Sequence, residues 1–229
     1  MYFITDEKRK IIFGYTPKCG CKHILNMFYY LTNIPKPSYL HNKSGSWNKL
    51  PENYNEYIVI IFIRDPYKRI ISGFREKYRN LKYFYHYIHK WNVNVKKDLT
   101  FKNFVNELYE NGFENIDKHH FTPQLSEDWN YDINITKIYD LENIDYSYLE
   151  KLYNKKIDSS ILDFKGNHID KRTKPINYYV YDLTLDKYLN KKPKTYQYYN
   201  KDIENKVSEF YKEDLEFFKL HGFEYKIWY

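Results

Sequence analysis

The residues best placed to do chemistry lie in a short loop, residues 16–22, between an apolar run and a helical pattern. A loop of this kind gathers free backbone N–H groups at the positive end of a helix dipole. Gly20 allows a phosphate to approach the backbone closely, and Lys18 adds a positive charge. The loop predicts an anion site, although a strand-to-helix turn with an incidental lysine has the same pattern. It lacks the GxxxxGK[ST] pattern of ATP-binding loops, which argues against an ordinary kinase.

A second charged segment begins at Arg64, directly after seven apolar residues at 57–63. The continuous apolar run predicts a central strand that is covered on both faces. Ligands bind at the carboxyl ends of such strands in open α/β sheets. Ser72 follows eight residues after Arg64, which is about two helical turns, so both side chains could close on one phosphate. The alternative is that Arg64 pairs with a carboxylate and that Ser72 lies on a helix surface.

The elements that must position these residues alternate along the chain. Strands are predicted at 11–15, 57–63 and 133–139, and helices at 23–31, 67–84, 100–109, 146–153 and 201–220. Strands that alternate with helices predict an α/β domain with a largely parallel sheet. A chain of 229 residues suits one domain, or one domain with a small subdomain.

Charge and cysteine content narrow the class of partner. The net charge of +7 favours polyanionic partners. The basic residues are scattered and form no long Lys/Arg run, so nucleic-acid binding is not indicated. Cys19 and Cys21 are too close for an unstrained disulfide and lack the His ligands of a zinc site. No signal-peptide pattern and no apolar stretch of about 20 residues occurs, so we expect a cytoplasmic protein without a membrane span.

Four segments together resemble those of sulfotransferases. Residues 16–21 resemble the 5'-phosphosulfate loop of that family, and residues 64–72 resemble its 3'-phosphate motif. Residues 120–124 and 210–218 are similar to the His-Trp-x-Pro-Gln segment and the C-terminal Tyr-x-x-Asp helix of the carbohydrate (Golgi-type and bacterial) sulfotransferases. The resemblance implies a single domain with a three-layer α/β/α P-loop-like fold. It also implies metal-free transfer of a sulfuryl group from PAPS (3'-phosphoadenosine 5'-phosphosulfate) to an acceptor hydroxyl, on a carbohydrate above all.

The resemblance also assigns roles to residues. Lys18 would contact the 5'-phosphate and the bridging oxygen, while Arg64 and Ser72 would hold the 3'-phosphate. The expected nucleotide contacts of the first loop are Pro17, Lys18, Cys19, Gly20, Cys21, Lys22 and His23. Many relatives have Ser or Thr where this chain has Cys21, so a hydroxyl donor is missing, and Lys22 could replace it as a cation. Lys171 and Arg172 lie in a basic loop that would cover the nucleotide, although a solvated charge cluster is an equal alternative.

The acceptor hydroxyl needs a base, and histidine suits this role near neutral pH. His41 is the first candidate, because several branches of the family carry a histidine base between the two nucleotide motifs. His120 is the second candidate, and its neighbour His119 could be confused with it. Each of these histidines could instead be a surface or hydrogen-bonded residue.

Two other functions remain open from the sequence. A P-loop-like nucleotide kinase would need a Lys–hydroxyl pair and an acidic magnesium ligand, and magnesium-dependent ATP turnover would reveal it. A non-enzymatic polyanion- or glycan-binding module fits the charge, and would bind polyanions in a salt-dependent way that is indifferent to PAPS. For an enzyme, a protein tyrosine or a small metabolite is an alternative acceptor.

Overall fold

A computed structural model describes residues 1–36, 50–79, 99–125, 133–158 and 174–228. The predicted site residues His41, Lys171 and Arg172 lie outside these ranges. The chain divides into two compact units, Met1–Arg64 with Gln124–Gly166, and Asp65–Pro123 with Asn167–Tyr229. Each unit is therefore built from two separate segments, and a single domain over residues 1–229 stays a prediction.

The described elements follow one another in the order given by the chain. The strands are β1 (Tyr2–Asp6), β2 (Ile11–Tyr15), β3 (Ile58–Ile63), β4 (Ile135–Asp140), β5 (Lys174–Pro175) and β6 (Lys191–Lys192). The helices are α1 (Cys21–Thr32), α2 (Pro66–Tyr78), α3 (Phe101–Asn111), α4 (Lys118–Phe121), α5 (Ser147–Tyr153), α6 (Leu185–Tyr188), α7 (Lys201–Phe210) and α8 (Lys212–Leu220). Short 3-10 turns occur at Tyr54–Glu56 and Thr195–Tyr198.

The first unit contains a four-stranded sheet in the order β1-β2-β3-β4. β3 pairs in parallel with both β2 and β4, whereas β1 runs antiparallel to β2. The predicted α/β class with a largely parallel sheet is confirmed. β1 was missing from the predicted elements, because its five residues mix apolar and polar types in the way of an edge strand.

The core of the first unit explains the continuous apolar runs in its central strands. α1 and α5 cover one face of the sheet, where Phe13 of β2 contacts Phe28 and Tyr153 with ring centroids 5.6 and 6.4 Å apart. Residues that point to the opposite face, such as Ile12 and Ile61, are also completely buried. β2 and β3 are therefore buried on both faces, as the sequence predicts for β3.

Strand register brings three loops to one edge of this sheet. Tyr15 at the end of β2 lies opposite Phe62 of β3, and Ile63 lies opposite Asp140 of β4. Because the three strands are parallel, the residues that follow them leave the sheet at the same edge. Residues 16–20, Arg64 and Leu141 thereby emerge together.

The second unit is mostly helical. α2 begins with Asp65, whose side chain accepts a hydrogen bond from the Tyr67 amide at 2.9 Å, and with Pro66 in the first turn, where proline is favoured. The predicted final helix is interrupted at Tyr211, which separates α7 from α8. β5 and β6 form a parallel pair of two residues each.

Buried polar side chains hold the segment that follows α4 in the second unit. The guanidinium of Arg69 is buried and donates to the carbonyl oxygens of Thr122 at 2.8 Å and His120 at 3.4 Å. The hydroxyl of Tyr211 donates to the Phe121 carbonyl at 2.7 Å. Residues 120–122 are thus fixed through their backbone from both α2 and the junction between α7 and α8.

We expect Gly73→Ala to destabilise the protein, although alanine favours helices by about 1 kcal/mol. A Cβ atom at Gly73 would lie 2.5 Å from Cε1 of the Phe121 ring, which is buried and packs against Phe104 at 4.8 Å. Overpacking of this kind typically costs about 1–3 kcal/mol. Urea unfolding at neutral pH measures the loss, with Glu76→Ala on the exposed side of α2 as the control. Unchanged or increased stability of Gly73→Ala would contradict the packing described for Phe121.

Candidate functional site

The loop between β2 and α1 has two residues in the left-handed region of backbone space. Lys18 has φ 71° and Gly20 has φ 74°, and the Cys19 amide donates to the Thr16 carbonyl at 3.1 Å within this turn. A Cβ atom at Gly20 would collide with the side chain of Leu141, which follows β4. Glycine is therefore required at position 20 both for its backbone conformation and for space.

The N-terminus of α1 is suited to a negatively charged ligand. The first N–H groups of a helix have no partner within the helix, and they carry partial positive charge. Gly20 occupies the cap position without a side chain that could accept from them, and the first turn contains no acidic residue. Lys22 is exposed in that turn, while Pro17, Lys18 and Gly20 are partly exposed.

Arg64 lies directly beside this loop. Its Nη1 atom donates to the carbonyl oxygen of Lys18 at 3.1 Å, so the structure brings together the two basic residues that the sequence singled out. Its Nε atom lies 3.6 Å from a carboxylate oxygen of Glu142. Arg64 therefore also forms the ion pair with a carboxylate that the sequence offered as an alternative. The Arg64 side chain is only 21% exposed, which strengthens its electrostatic interactions relative to those of a surface arginine.

Gln124 is a residue of this site that the sequence analysis did not single out. Its side chain is buried, and its Oε1 atom accepts from the Arg64 amide at 2.9 Å and from the Cys19 thiol at 2.9 Å. Its Nε2 atom donates to the Arg64 carbonyl at 2.8 Å. The only sequence signal for it was its place at the end of residues 120–124.

The two cysteines support the loop through their side chains. The buried Cys19 thiol contacts Gln124 and lies 3.1 Å from the Thr16 hydroxyl, so it points into the protein. The Cys21 thiol donates to the Thr16 carbonyl at 3.4 Å. Burial, with a smaller contribution from Cys19, raises the pKa of Cys21 to about 12. Cys21 is therefore neutral at physiological pH and adds no negative charge to the loop.

His23 is the last of the predicted contacts in the first loop. It lies in the first turn of α1, and its Nε2 atom is 2.8 Å from the hydroxyl of Tyr146, just before α5. This hydrogen bond ties the start of α1 to the start of α5. The binding roles of the loop residues stay predictions, and so does that of Ser72, which is partly exposed on α2 in the second unit.

His120 forms a close pair with a carboxylate in the second unit. Asp117 caps α4 by accepting from the His119 amide at 3.1 Å, and its other oxygen lies 2.5 Å from Nδ1 of His120. Burial raises the pKa of Asp117, but the hydrogen bond and charge of His120, with smaller contributions from Lys77 and His119, lower the pKa overall. Burial and the charge of His120 lower the pKa of His119, which favours its neutral form.

Comparison with known proteins identifies the family of this chain. The family model described as "Sulfotransferase family" matches residues 1–221. The chain belongs to the sulfotransferase family. A human relative, carbohydrate sulfotransferase 9, is 24% identical over 216 residues, which cover 78% of this chain and 47% of the relative. This sulfotransferase thus spans about half the length of that relative. No solved structure matches the present chain.

The family assignment corrects one prediction and supports another. The similarity to a carbohydrate sulfotransferase, from a group that includes Golgi-type enzymes, contradicts the predicted cytoplasmic location, and no location is assigned. That prediction was wrong because it inferred a location only from the absence of a signal-peptide pattern and of a membrane span. In the described residues, no helix is both long and apolar enough to cross a membrane, and no group of three metal-ligating side chains occurs. Family membership supports the prediction of an enzyme.

We expect Asp117→Asn to lower the free energy of unfolding of this sulfotransferase by about 1 kcal/mol at pH 7. Asparagine can still cap α4, but it removes the charge that lies beside His120. Because the folded-state pKa of Asp117 is depressed, its contribution is present above the unfolded-state value near 3.9. It is lost as the pH falls through the folded-state pKa. Urea unfolding of both proteins from pH 7 to pH 3 measures the difference, and a difference that does not shrink below about pH 3.9 would contradict the pairing.

Proposed function

We propose that this sulfotransferase transfers a sulfuryl group from PAPS to a hydroxyl of a carbohydrate acceptor. The observation that carries the proposal is the hydrogen bond from the Arg64 guanidinium to the Lys18 carbonyl. It joins two cationic strand ends in the first unit, next to the N-terminus of α1. A nucleotide with phosphates at both its 3' and 5' positions has the charge distribution that suits two adjacent cationic sites.

The loop after β2 is proposed to bind the 5'-phosphosulfate. Backbone N–H groups at the start of α1 would donate to phosphate oxygens, and Lys18 would neutralise the charge that develops on the leaving phosphate. Lys22 is exposed and supplies a second cation. The further proposed contacts are Pro17, Gly20, Cys21 and His23, whereas the inward thiol and engaged amide of Cys19 fit a supporting role in the loop.

Arg64 is proposed to bind the 3'-phosphate. A guanidinium has five N–H donors, and the bond to Lys18 uses one of them. Its planar fork matches a phosphate through two parallel hydrogen bonds. Ser72, Lys171 and Arg172 are further proposed contacts of this phosphate, and only the sequence supports them.

The reaction needs positioning and charge stabilisation more than covalent help from the protein. The acceptor oxygen forms a bond to sulfur while the bond from sulfur to the 5'-phosphate oxygen breaks, and the product nucleotide leaves with the electron pair. Lys18 stabilises the charge on that oxygen, by analogy with phosphoryl transfer. The proton of the acceptor hydroxyl passes to a base.

His120 is supported as the base by its contact with Asp117. The carboxylate holds the Nδ1 side of the ring, which leaves Nε2 as the atom that takes the proton. His41 stays a proposed alternative from the sequence. The carbohydrate acceptor is supported by the name of the human relative.

Calorimetric titration with the desulfated product, 3'-phosphoadenosine 5'-phosphate, tests the nucleotide assignment. We expect Arg64→Ala and Lys18→Ala to weaken binding by about 10–100-fold, because each removes charge-assisted hydrogen bonds worth about 1.5–3 kcal/mol. Lys10→Ala is the matched control, since Lys10 precedes β2 at the opposite end from Lys18 and pairs with the exposed Glu56. Equal affinity of all four proteins, or no binding by the unmodified protein, would remove the assignment.

Steady-state kinetics distinguish the two candidate bases. We expect His120→Asn to lower kcat by about 10²–10⁴-fold, since a positioned base typically contributes that much, while affinity for the product nucleotide is unchanged. His221→Asn is the control, because His221 is exposed at the end of α8. If His120→Asn keeps normal kcat and His41→Asn loses it, His41 is the base. Full activity in both variants would eliminate a histidine base at these positions.

A further inference from the structure

The Gln124 side chain supplies both hydrogen-bond partners of the Arg64 backbone. The ladder between β3 and β4 continues to Ile63, whose carbonyl accepts from the Leu141 amide at 2.9 Å. Arg64 is the next residue, it is partly buried, and its amide and carbonyl still need hydrogen-bond partners. Gln124 bonds to the amide through Oε1 at 2.9 Å and to the carbonyl through Nε2 at 2.8 Å. The glutamine thus replaces a neighbouring strand at this position.

The orientation of the Gln124 amide follows from these partners. A backbone N–H can only donate and a carbonyl can only accept, so the oxygen of Gln124 must face the Arg64 amide. The same oxygen accepts from the Cys19 thiol at 2.9 Å, and the Thr16 hydroxyl lies 3.1 Å from that sulfur. Hydrogen bonds therefore run from the loop after β2 through one buried amide group to the end of β3.

We propose that Gln124 is a positioning residue for nucleotide binding, which sets the location of Arg64 relative to the Lys18 loop. This inference rests on the proposed function of the site. The Arg64 guanidinium stands at the end of a long side chain, so a small rotation of the Arg64 backbone displaces it considerably. Two parallel hydrogen bonds to a phosphate tolerate little displacement, because both donors must stay aligned. Gln124 restrains that rotation from both sides of the Arg64 residue.

The loop is restrained by the same side chain. Cys19 lies between Lys18 and Gly20, and its thiol bond to Gln124 fixes the middle of the turn. The Lys18 carbonyl in turn accepts from the Arg64 guanidinium at 3.1 Å. Hydrogen bonds therefore link Gln124, Cys19 and Arg64 to one another and to the Lys18 carbonyl at the ends of β2 and β3.

A second buried glutamine provides a matched control for general stability. Gln197 is as buried as Gln124, at 1% exposure, and its Nε2 atom donates to the carbonyls of Ile176 and Tyr178 at 2.9 Å each. It joins loop residues of the second unit, none of which is a proposed ligand. Loss of either glutamine leaves backbone groups without their partners, but only Gln124 contacts Arg64 and Cys19.

The test is calorimetric titration of 3'-phosphoadenosine 5'-phosphate into folded Gln124→Met and Gln197→Met, since methionine preserves most of the side-chain volume. We expect Gln124→Met to weaken binding by about tenfold or more, as partners that orient ligand residues typically do. Gln197→Met should lose stability and keep its affinity within about twofold. In an Arg64→Ala background, Gln124→Met should weaken binding less than it does alone, because the side chain it positions is already gone.

The outcomes separate this inference from the proposed function. Failure of the unmodified protein to bind the nucleotide would overturn both. If Arg64→Ala loses affinity while Gln124→Met binds as Gln197→Met does, the positioning role alone is wrong. If Gln124→Met does not fold, Cys19→Ala removes the thiol bond to the Gln124 amide group, and we expect it to weaken binding. Unchanged affinity in Cys19→Ala would then count against the inference.

Discussion

The hydrogen bond from the Arg64 guanidinium to the Lys18 carbonyl is the contact on which this site depends. It joins the ends of two adjacent parallel strands, and it requires the loop after β2 to turn its Lys18 carbonyl toward β3. That turn is possible because Lys18 and Gly20 both adopt left-handed conformations, and because Gly20 has no Cβ atom to collide with Leu141. The backbone conformation of this loop therefore determines where the Lys18 carbonyl meets the Arg64 side chain.

The loop after β2 and the first turn of α1 carry Lys18 and Lys22, and the Arg64 guanidinium contacts the loop backbone, so positive charge concentrates at the ends of β2 and β3. Glu142 lies 3.6 Å from Arg64, but it is itself partly exposed, so water weakens its effect. The neutral Cys21 thiol and the absence of acids in the first turn of α1 leave the loop positive. An anionic ligand would be attracted to this positive charge, which is the physical reason for assigning phosphate groups to this edge of the sheet.

Local pattern predicted the elements that carry the site, because each has a strong signal of its own. The continuous apolar run before Arg64 identified β3, and the alternation of strands and helices identified the α/β class. The edge strand β1 and the break at Tyr211 lack such signals, since mixed polar and apolar residues fit several structures. The hydrogen bonds of Gln124 to Arg64 were also missed, because they join residues 60 positions apart and no local pattern records them. The carboxylate partner of His120 is three residues away, yet its orientation depends on α4 and could not be predicted from spacing alone.

The most direct test of the central claim compares two nucleotides that differ only in the 3'-phosphate. Dissociation constants for 3'-phosphoadenosine 5'-phosphate and for adenosine 5'-phosphate should differ by about tenfold or more in the unmodified protein. In Arg64→Ala we expect this preference to disappear. A variant that keeps the preference, or an unmodified protein that binds both nucleotides equally, would contradict the assignment of Arg64 to the 3'-phosphate.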